Sequence, residues 1–280
     1  MTVLLTATTA RASAQQVEVW GAFAGVATAP AGDLVSAFSP PLLFGTDFTS
    51  RAGQTLVMDG SRGTGLQGGV NVFPAAHVGV QLLVDHAAAD LSGANRPYSV
   101  ALTYVSRPPN SAPIVVSTTQ LVPWPSTSGS VDQTTVGLNA VVRAGRARAV
   151  NATVSGGLAV YRISGSVQPI GFTAFRLGGH SALFSDEYRV AASLGPVRSI
   201  GFDVGAELNI PLGKHMAGVA GYRYLGGPSV DVPVTPTTIV NPDQVINEMS
   251  VADIAQALAS DRARVRVAAS RLVIGVKVTR

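Results

Sequence analysis

Residues 199–212, with the sequence SIGFDVGAELNIPL, alternate between apolar and polar or small side chains along most of their length. The even positions carry the apolar residues, and Asp203, Glu207 and Asn209 lie among glycines at the odd positions. Because successive side chains of a β-strand point to opposite faces, this alternation predicts a strand with one apolar and one polar face. A soluble strand with one buried face would show the same pattern, so the segment alone leaves its surroundings open.

The same alternation recurs in further segments, which brings the number of predicted strands to eight. These segments lie near residues 17–26, 66–72, 78–85, 136–143, 150–160, 215–224 and 271–278. Most are close to the length with which a tilted strand crosses a bilayer, ~9–11 residues. Their apolar faces carry aliphatic side chains with few aromatic ones, whereas the core of a β-sandwich of this size would hold more Phe and Trp. The pattern therefore favours faces that contact lipid.

The predicted connections alternate between short and long. Short turns are expected near residues 74–76, 144–146 and 213–214, and long polar stretches cover roughly 27–64, 87–130, 164–197 and 227–265. Short turns on one side and long loops on the other are typical of bacterial barrels. The sequence thus predicts an all-β fold, a closed antiparallel up-and-down transmembrane β-barrel of eight strands with long extracellular loops.

Composition excludes several other classes. No run of 18 apolar residues exists, so no transmembrane helix is predicted. The chain has no Cys, which excludes a disulfide framework, thiol catalysis and cysteine zinc sites. Its 20 Lys and Arg residues are scattered, so binding to nucleic acid is not expected.

The first residues predict an export signal. An apolar stretch opens at Val3–Leu5, and Ala12-Ser13-Ala14 has the form of a cleavage site, although the usual basic start is missing. Residues 1–14 are therefore expected to be a signal peptide and residues 15–280 the barrel domain. An apolar N-terminal strand is the alternative.

Eight charged residues fall on the polar faces of the predicted strands. They are four acids and four bases: Glu18, Asp85, Arg143, Asp203, Glu207, Arg223, Arg271 and Lys277. Eight strands enclose little more than the space for side chains, and opposite charges in a confined space favour pairing. We expect a salt-bridge network that plugs the lumen. Counting from the turn at 213–214 makes Asp203 the expected partner of Arg223.

Other motifs are weaker. Residues 63–68 fit the pattern G-x-G-x-x-G with Asp85 downstream, but a dinucleotide site needs a strand before the motif and a helix after it. Small residues within a strand are the better interpretation, and no cofactor is predicted. The histidines at 77, 86, 180 and 215 form no close pair, so no metal site is predicted.

Two further segments carry alternative interpretations. His180 and Ser181 with Asp186 or Glu187 supply the parts of a hydrolase, yet catalytic groups are recognised by geometry, so no enzyme is predicted. Residues 244–259 combine a capping pattern at Ser250 with apolar residues at helical spacing. They predict a helix that packs on the barrel rim, or a surface helix that docks a partner.

The strand pattern and the alternation of loops resemble the small outer-membrane barrel families of Gram-negative bacteria, the OmpA-like, OmpX-like and OmpW-like group. The resemblance covers residues 15–280. It implies a place in the outer membrane, contacts with the lipid bilayer and lipopolysaccharide, and insertion by the outer-membrane assembly machinery. One departure is the end of the last strand at Arg280, where the usual assembly signal has an aromatic residue.

The expected function is that of an outer-membrane barrel with a plugged polar lumen and a structural or surface-interaction role through its long loops, whose partner is unknown. The alternative is a narrow porin-like channel for ions or small solutes. A membrane-embedded lipid hydrolase and a soluble exported barrel that binds lipid are weaker hypotheses.

Overall fold

The computed structural model describes residues 16–28, 31–38, 48–94, 98–106, 109–122, 127–146, 148–178, 182–239, 245–246, 249–250 and 262–280. The predicted signal peptide, residues 1–14, lies outside these ranges and stays a prediction. Within them, no helix has the length and apolarity needed to cross a membrane.

The described chain is built of strands. Their bounds are β1 Gln16–Thr28, β2 Ala31–Phe38, β3 Phe48–Phe73, β4 Val78–Ala94, β5 Tyr98–Ser106, β6 Ile114–Val122, β7 Thr127–Ala144, β8 Asn151–Gly178, β9 Ala182–Pro211, β10 Met216–Gly226, β11 Ser229–Ile239, β12 Val245–Ile246, β13 Met249–Ser250, β14 Arg262–Arg266 and β15 Ala269–Thr279.

Eight of these strands close into an antiparallel ring in the order β1, β3, β4, β7, β8, β9, β10, β15. The ring closes because β1 is paired on both edges: Trp20 lies opposite Gly69 of β3 on one side and Lys277 of β15 on the other. A closed sheet leaves no strand edge unpaired within the ring. The predicted eight-stranded antiparallel barrel is confirmed.

The short turns lie where the sequence predicted them. They join β3 to β4 at residues 74–77, β7 to β8 at 145–150, and β9 to β10 at 212–215. Gly145 has φ of +99°, a backbone conformation that favours glycine, in the second of these turns. We call the half of the barrel next to these turns the turn-side half, and the opposite half the hairpin-side half.

In their described parts, the four stretches that were predicted as long loops are largely β-strand, which corrects their boundaries. β2 continues β1 along β3, with Gly32 opposite Met58, and β11 and β14 pair with each other in line with β10 and β15. β5 and β6 continue the hairpin of β4 and β7, and β8 and β9 remain paired up to Gly178 and Ala182. The hairpins therefore extend the sheet well beyond the strands that the sequence predicted.

The helix predicted over residues 244–259 is not present in its described part. Val245–Ile246 and Met249–Ser250 pair as a small separate sheet instead. The rest of that prediction, including Val251 and Leu258, lies outside the described residues.

The apolar face of the sheet changes sides partway along the strands. In the turn-side part of β4, Leu82 and Val84 are exposed on the outside while Gln81 and Asp85 are buried inside. Further along the same strand, Ala87, Ala89 and Leu91 are buried inside, and Ala88 and Asp90 face outward. The turn-side half is thus apolar outside and polar inside, and the hairpin-side half has the reverse arrangement.

Candidate functional site: the barrel lumen

The eight charged residues that the sequence placed on polar faces are all buried in the lumen, each with 7% or less of its surface exposed. Strand alternation puts them there. Their chain neighbours, such as Leu272 beside Arg271 and Val204 beside Asp203, are exposed on the outer face. The lumen of the turn-side half therefore holds a balanced set of four acids and four bases.

Arg223 is bound by two carboxylates. Its Nη1 atom lies 2.7 Å from Oδ2 of Asp203, and its Nη2 atom lies 3.0 Å from Oε1 of Glu207. The number of residues from the turn at 213–214 predicted Asp203 as the partner of Arg223. The strand register places Arg223 opposite Gly205, midway between Asp203 and Glu207, so that it binds both acids. Gly205 also makes the room for this group, since a Cβ atom there would lie 2.9 Å from the guanidinium carbon.

Lys277 of β15 links this group to Glu18 of the neighbouring strand β1. Its Nζ atom lies 3.4 Å from Glu207 Oε2 and 3.5 Å from Glu18 Oε2. Glu18 in turn pairs with Nη2 of Arg143, whose guanidinium carbon lies 3.8 Å from the centre of the Phe73 ring. The result is a continuous line of alternating charges from Arg143 to Arg223.

Side-chain amides close this line into a ring. The Asn139 amide donates to Asp203 Oδ2 at 2.7 Å and to Gln81 Oε1 at 3.0 Å. Gln81 donates to Asn71 Oδ1 at 3.0 Å, and Asn71 donates to Glu18 Oε2 at 3.1 Å. We call the closed circuit the lumen ring; it consists of Glu18, Lys277, Glu207, Arg223, Asp203, Asn139, Gln81 and Asn71.

The lumen ring connects the strands of the barrel to one another through side-chain contacts. Its members come from all the barrel strands except β8, and β8 joins through Thr153, whose hydroxyl donates to Glu207 Oε2 at 3.3 Å. Each member is joined to the next by an ion pair or a hydrogen bond, and such a network is stronger than isolated pairs in a medium of low dielectric constant. Asn139 Oδ1 has no hydrogen-bond partner among the described residues. The ring spans the lumen with paired groups.

Asp85 and Arg271 form a separate pair on the hairpin side of the ring, with Arg271 Nε 3.6 Å from Asp85 Oδ2. Gln67 donates to Asp85 at 3.1 Å, and Arg271 donates to Gln133 at 3.0 Å. The predicted fourth strand begins at residue 136, whereas β7 begins at Thr127 and brings Gln133 and the buried Thr135 into the lumen. Extending the alternation back from Gly137 by four residues would have placed both of them in the lumen.

Apolar side chains fill the lumen of the hairpin-side half. We call them the upper cluster; its buried members are Val26, Ala87, Ala89, Leu91, Val131, Ala159, Tyr161, Ile163, Val167, Ala192, Leu194, Leu225, Val232, Val234, Val265, Val267 and Ala269. The only hydroxyl among them, on Tyr161, donates to the backbone oxygens of Phe202 and Gly226. The polar lumen is thus capped by a layer of buried apolar side chains.

In the described part of the chain, the other candidate groups are not assembled into a site. His77, His86 and His215 are exposed, and the described residues contain no group of three His, Asp or Glu side chains that could hold a metal ion. His180 and Ser181 lie outside the described residues. Residues 63–68 lie within β3, and no helix follows them, as a dinucleotide site would require.

No protein-family model matches the chain, and no curated protein matches it. Among solved structures, the outer membrane protein OprG from Pseudomonas aeruginosa is similar over 95% of each chain, with 14% identity and a TM-score of 0.45. Neisserial surface protein A (NspA) is similar over 95% of this chain and 97% of its own, with 12% identity and a TM-score of 0.37. Both likenesses are too remote to bear on function, and the closed barrel rests on the strand pairing described above.

Proposed function

We propose that this chain is an outer-membrane barrel that crosses the bilayer with its turn-side half, keeps its lumen closed, and acts through the hairpin-side half outside the membrane. The observation that carries the proposal is the change of polarity along single strands. The apolar side chains face outward in one half of the barrel and inward in the other.

The turn-side half suits a lipid surrounding. Large apolar side chains are exposed there on neighbouring strands, with Phe23 at 75%, Leu158 at 71% and Ile274 at 71%. Soluble monomers rarely expose contiguous apolar patches larger than a few hundred Å². Closure of the sheet satisfies the backbone groups, as the hydrocarbon core of a bilayer demands. We define the outward apolar residues of this half as the apolar band.

The hairpin-side half is built like a water-soluble β-barrel. Its outer face carries exposed groups such as Asp90, Arg162, Ser166 and Arg266, while the upper cluster fills its interior. β8 and β9 are 28 and 30 residues long, whereas ~9–11 residues cross a bilayer. Much of each hairpin is therefore available as a rigid surface for a partner.

Two barriers in series support a closed lumen over the alternative of a narrow channel. An ion would first meet the lumen ring, whose charges are already paired, and then the upper cluster, whose only hydroxyl, on Tyr161, is already bound to backbone oxygens. Eight strands leave little space between the side chains that fill such a barrel. The polar lumen and apolar exterior also oppose the hypothesis of a soluble lipid carrier, which needs an apolar lumen and a polar exterior along its whole length.

Membrane fractionation and heat-modifiable migration test this proposal. We expect the full chain to sediment with outer membranes, to require detergent for extraction, and to migrate faster on a gel before boiling than after it, because a closed sheet has no free edge from which to unfold. Full recovery in the supernatant of a high-speed spin without detergent would contradict the membrane assignment.

A further inference from the structure

A row of polar side chains crosses four neighbouring strands on the outside of the barrel. Strand pairing places His86 of β4 opposite Thr134 of β7, Thr134 opposite Arg162 of β8, and Arg162 opposite Arg198 of β9. His86, Arg162 and Arg198 are exposed, and His86 Nδ1 lies 3.0 Å from the Thr134 hydroxyl. We call these four residues the arginine row.

The arginine row marks the edge of the apolar band. On the outer face, two residues closer to the short turns on each strand, lies a row of apolar side chains that are exposed by 47–68%. They are Val84, Val136, Val160 and Ile200. The polarity changes within a single step on all four strands. In the proposed orientation this step lies on the side of the long hairpins, which is the level of the outer-leaflet headgroups.

Two like charges face each other in this row without a counter-charge. Like charges directly opposite on neighbouring strands destabilise a sheet. Neither Arg162 nor Arg198 has an ion-pair partner within 4.0 Å in the described part of the chain. The nearest acid on the outer face is Asp132, two residues from Thr134 along β7, and it lies opposite Ser164 rather than opposite an arginine. An anion from outside the chain that lay between the two guanidinium groups would relieve this repulsion.

We infer that the arginine row binds a phosphate group of lipopolysaccharide, the phosphorylated glycolipid of the outer leaflet. This inference rests on the proposed membrane placement. Two adjacent guanidinium groups offer the forked donors that bind phosphate oxygens with charge-assisted hydrogen bonds. The apolar row directly beneath them receives the acyl chains of the same molecule, a contact that a free phosphate ion lacks.

The test compares two double variants of the refolded full chain in detergent. Arg162→Gln with Arg198→Gln removes the row's charges, and Arg146→Gln with Arg148→Gln removes two exposed charges from the turn at the opposite rim. The measurement is the temperature at which the fast-migrating folded form is lost, as purified lipopolysaccharide is titrated. We expect lipopolysaccharide to stabilise the parent and the control variant equally. The row variant should bind lipopolysaccharide at least about tenfold more weakly.

The unfolding temperatures of the same variants without lipopolysaccharide give a second test, in which the row variant is expected to be the more stable one. Without lipopolysaccharide, the row variant should unfold at a higher temperature than the parent, because the repulsion between Arg162 and Arg198 is gone. Arginines that merely support the sheet would lower the unfolding temperature when replaced.

Several outcomes would overturn the inference. One is that lipopolysaccharide stabilises the row variant as much as the parent, and another is that the control variant loses as much affinity as the row variant. A third is that dephosphorylated lipopolysaccharide raises the unfolding temperature of the parent as much as the intact molecule does. Phosphatidylethanolamine or inorganic phosphate that reproduced the shift at equal phosphate concentration would assign the site to another source of phosphate. Failure of the membrane proposal is distinguishable, since it would appear in the parent as a chain that needs no detergent and migrates alike before and after boiling.

Discussion

At the scale of single residues, Arg223 is the junction of the lumen ring. Its guanidinium group binds Asp203 and Glu207, and its Nη2 atom lies 3.3 Å from Gln81 Oε1. A planar group with a fork of donors can serve several acceptors in fixed directions, which a Lys ammonium on a flexible stem cannot do. Removing it leaves two carboxylates in the lumen with fewer partners than they need.

We predict that Arg223→Ala lowers the free energy of unfolding by about 3–5 kcal/mol, because it leaves buried charge uncompensated. Adding Asp203→Ala should recover part of the loss. Urea unfolding in lipid vesicles can be followed by tryptophan fluorescence, since the ring centre of Trp20, one of the two Trp residues, lies 5.9 Å from the Arg223 guanidinium carbon. A single variant as stable as the parent would remove the ion pairs from the account of stability.

Gly205 provides a test of the space around that group. We predict that Gly205→Ala costs about 1–3 kcal/mol, since its methyl group would overlap the guanidinium of Arg223. Gly21→Ala is the matched control, because a Cβ atom there has no other atom within 4 Å. The same urea titration compares the two, and equal effects would argue against the close packing of Arg223 on β9.

Alternation alone placed the lumen charges, and the distance from a shared short turn paired Arg223 with Asp203. The pairs between strands that are not neighbours could not be found in this way. Asp85 and Arg271 lie on β4 and β15, which are not neighbours in the ring, and Glu18 reaches Arg143 across the lumen in the same way. Such contacts depend on the tilt of the strands and on the register at closure, which no single segment of sequence contains. The amides that complete the lumen ring lie within the predicted strands near 66–72, 78–85 and 136–143, but their role as links depends on the same closure.

At the scale of strands, the change of polarity explains why the predicted strands were too short. In β4 the apolar positions move from Val84, which faces out, to Ala87, which faces in, and in β8 they move from Val160 to Tyr161. A shift from even to odd positions looks like the end of a period-two pattern, although the strand continues. The predicted strands therefore end near the edge of the apolar band, and the remainder of each strand has the pattern of a loop.

Substitution by arginine should have opposite consequences in the two halves of the barrel. We predict that Val204→Arg lowers the stability of the membrane-inserted form by ~2–4 kcal/mol, since Val204 lies in the apolar band. Gln168→Arg, on the exposed outer face of the hairpin-side half, should change it little. The measurement is the yield and urea midpoint of protein folded into vesicles. Equal insertion of both variants would show that the apolar band does not face lipid.

At the scale of the whole molecule, the lumen ring and the upper cluster form two seals that are chemically unlike each other. The ring depends on paired charges, and the cluster depends on packed apolar side chains. Loss of one seal should leave the other intact. We therefore predict that Arg223→Ala is less stable than the parent yet passes no more current, which single-channel recording of the folded variant can check. A steady cation current in this variant alone would mean that the upper cluster does not seal the lumen.

The most direct test of the closed-barrel account is the conductance of the parent protein in a planar lipid bilayer. The protein must first be shown to be folded and inserted, by its faster migration before boiling and by its resistance to extraction from vesicles. The account predicts a silent bilayer, with no steady unitary current at any holding potential that the bilayer tolerates. Reproducible unitary steps from the folded parent would contradict the closed lumen and make the narrow channel the better description.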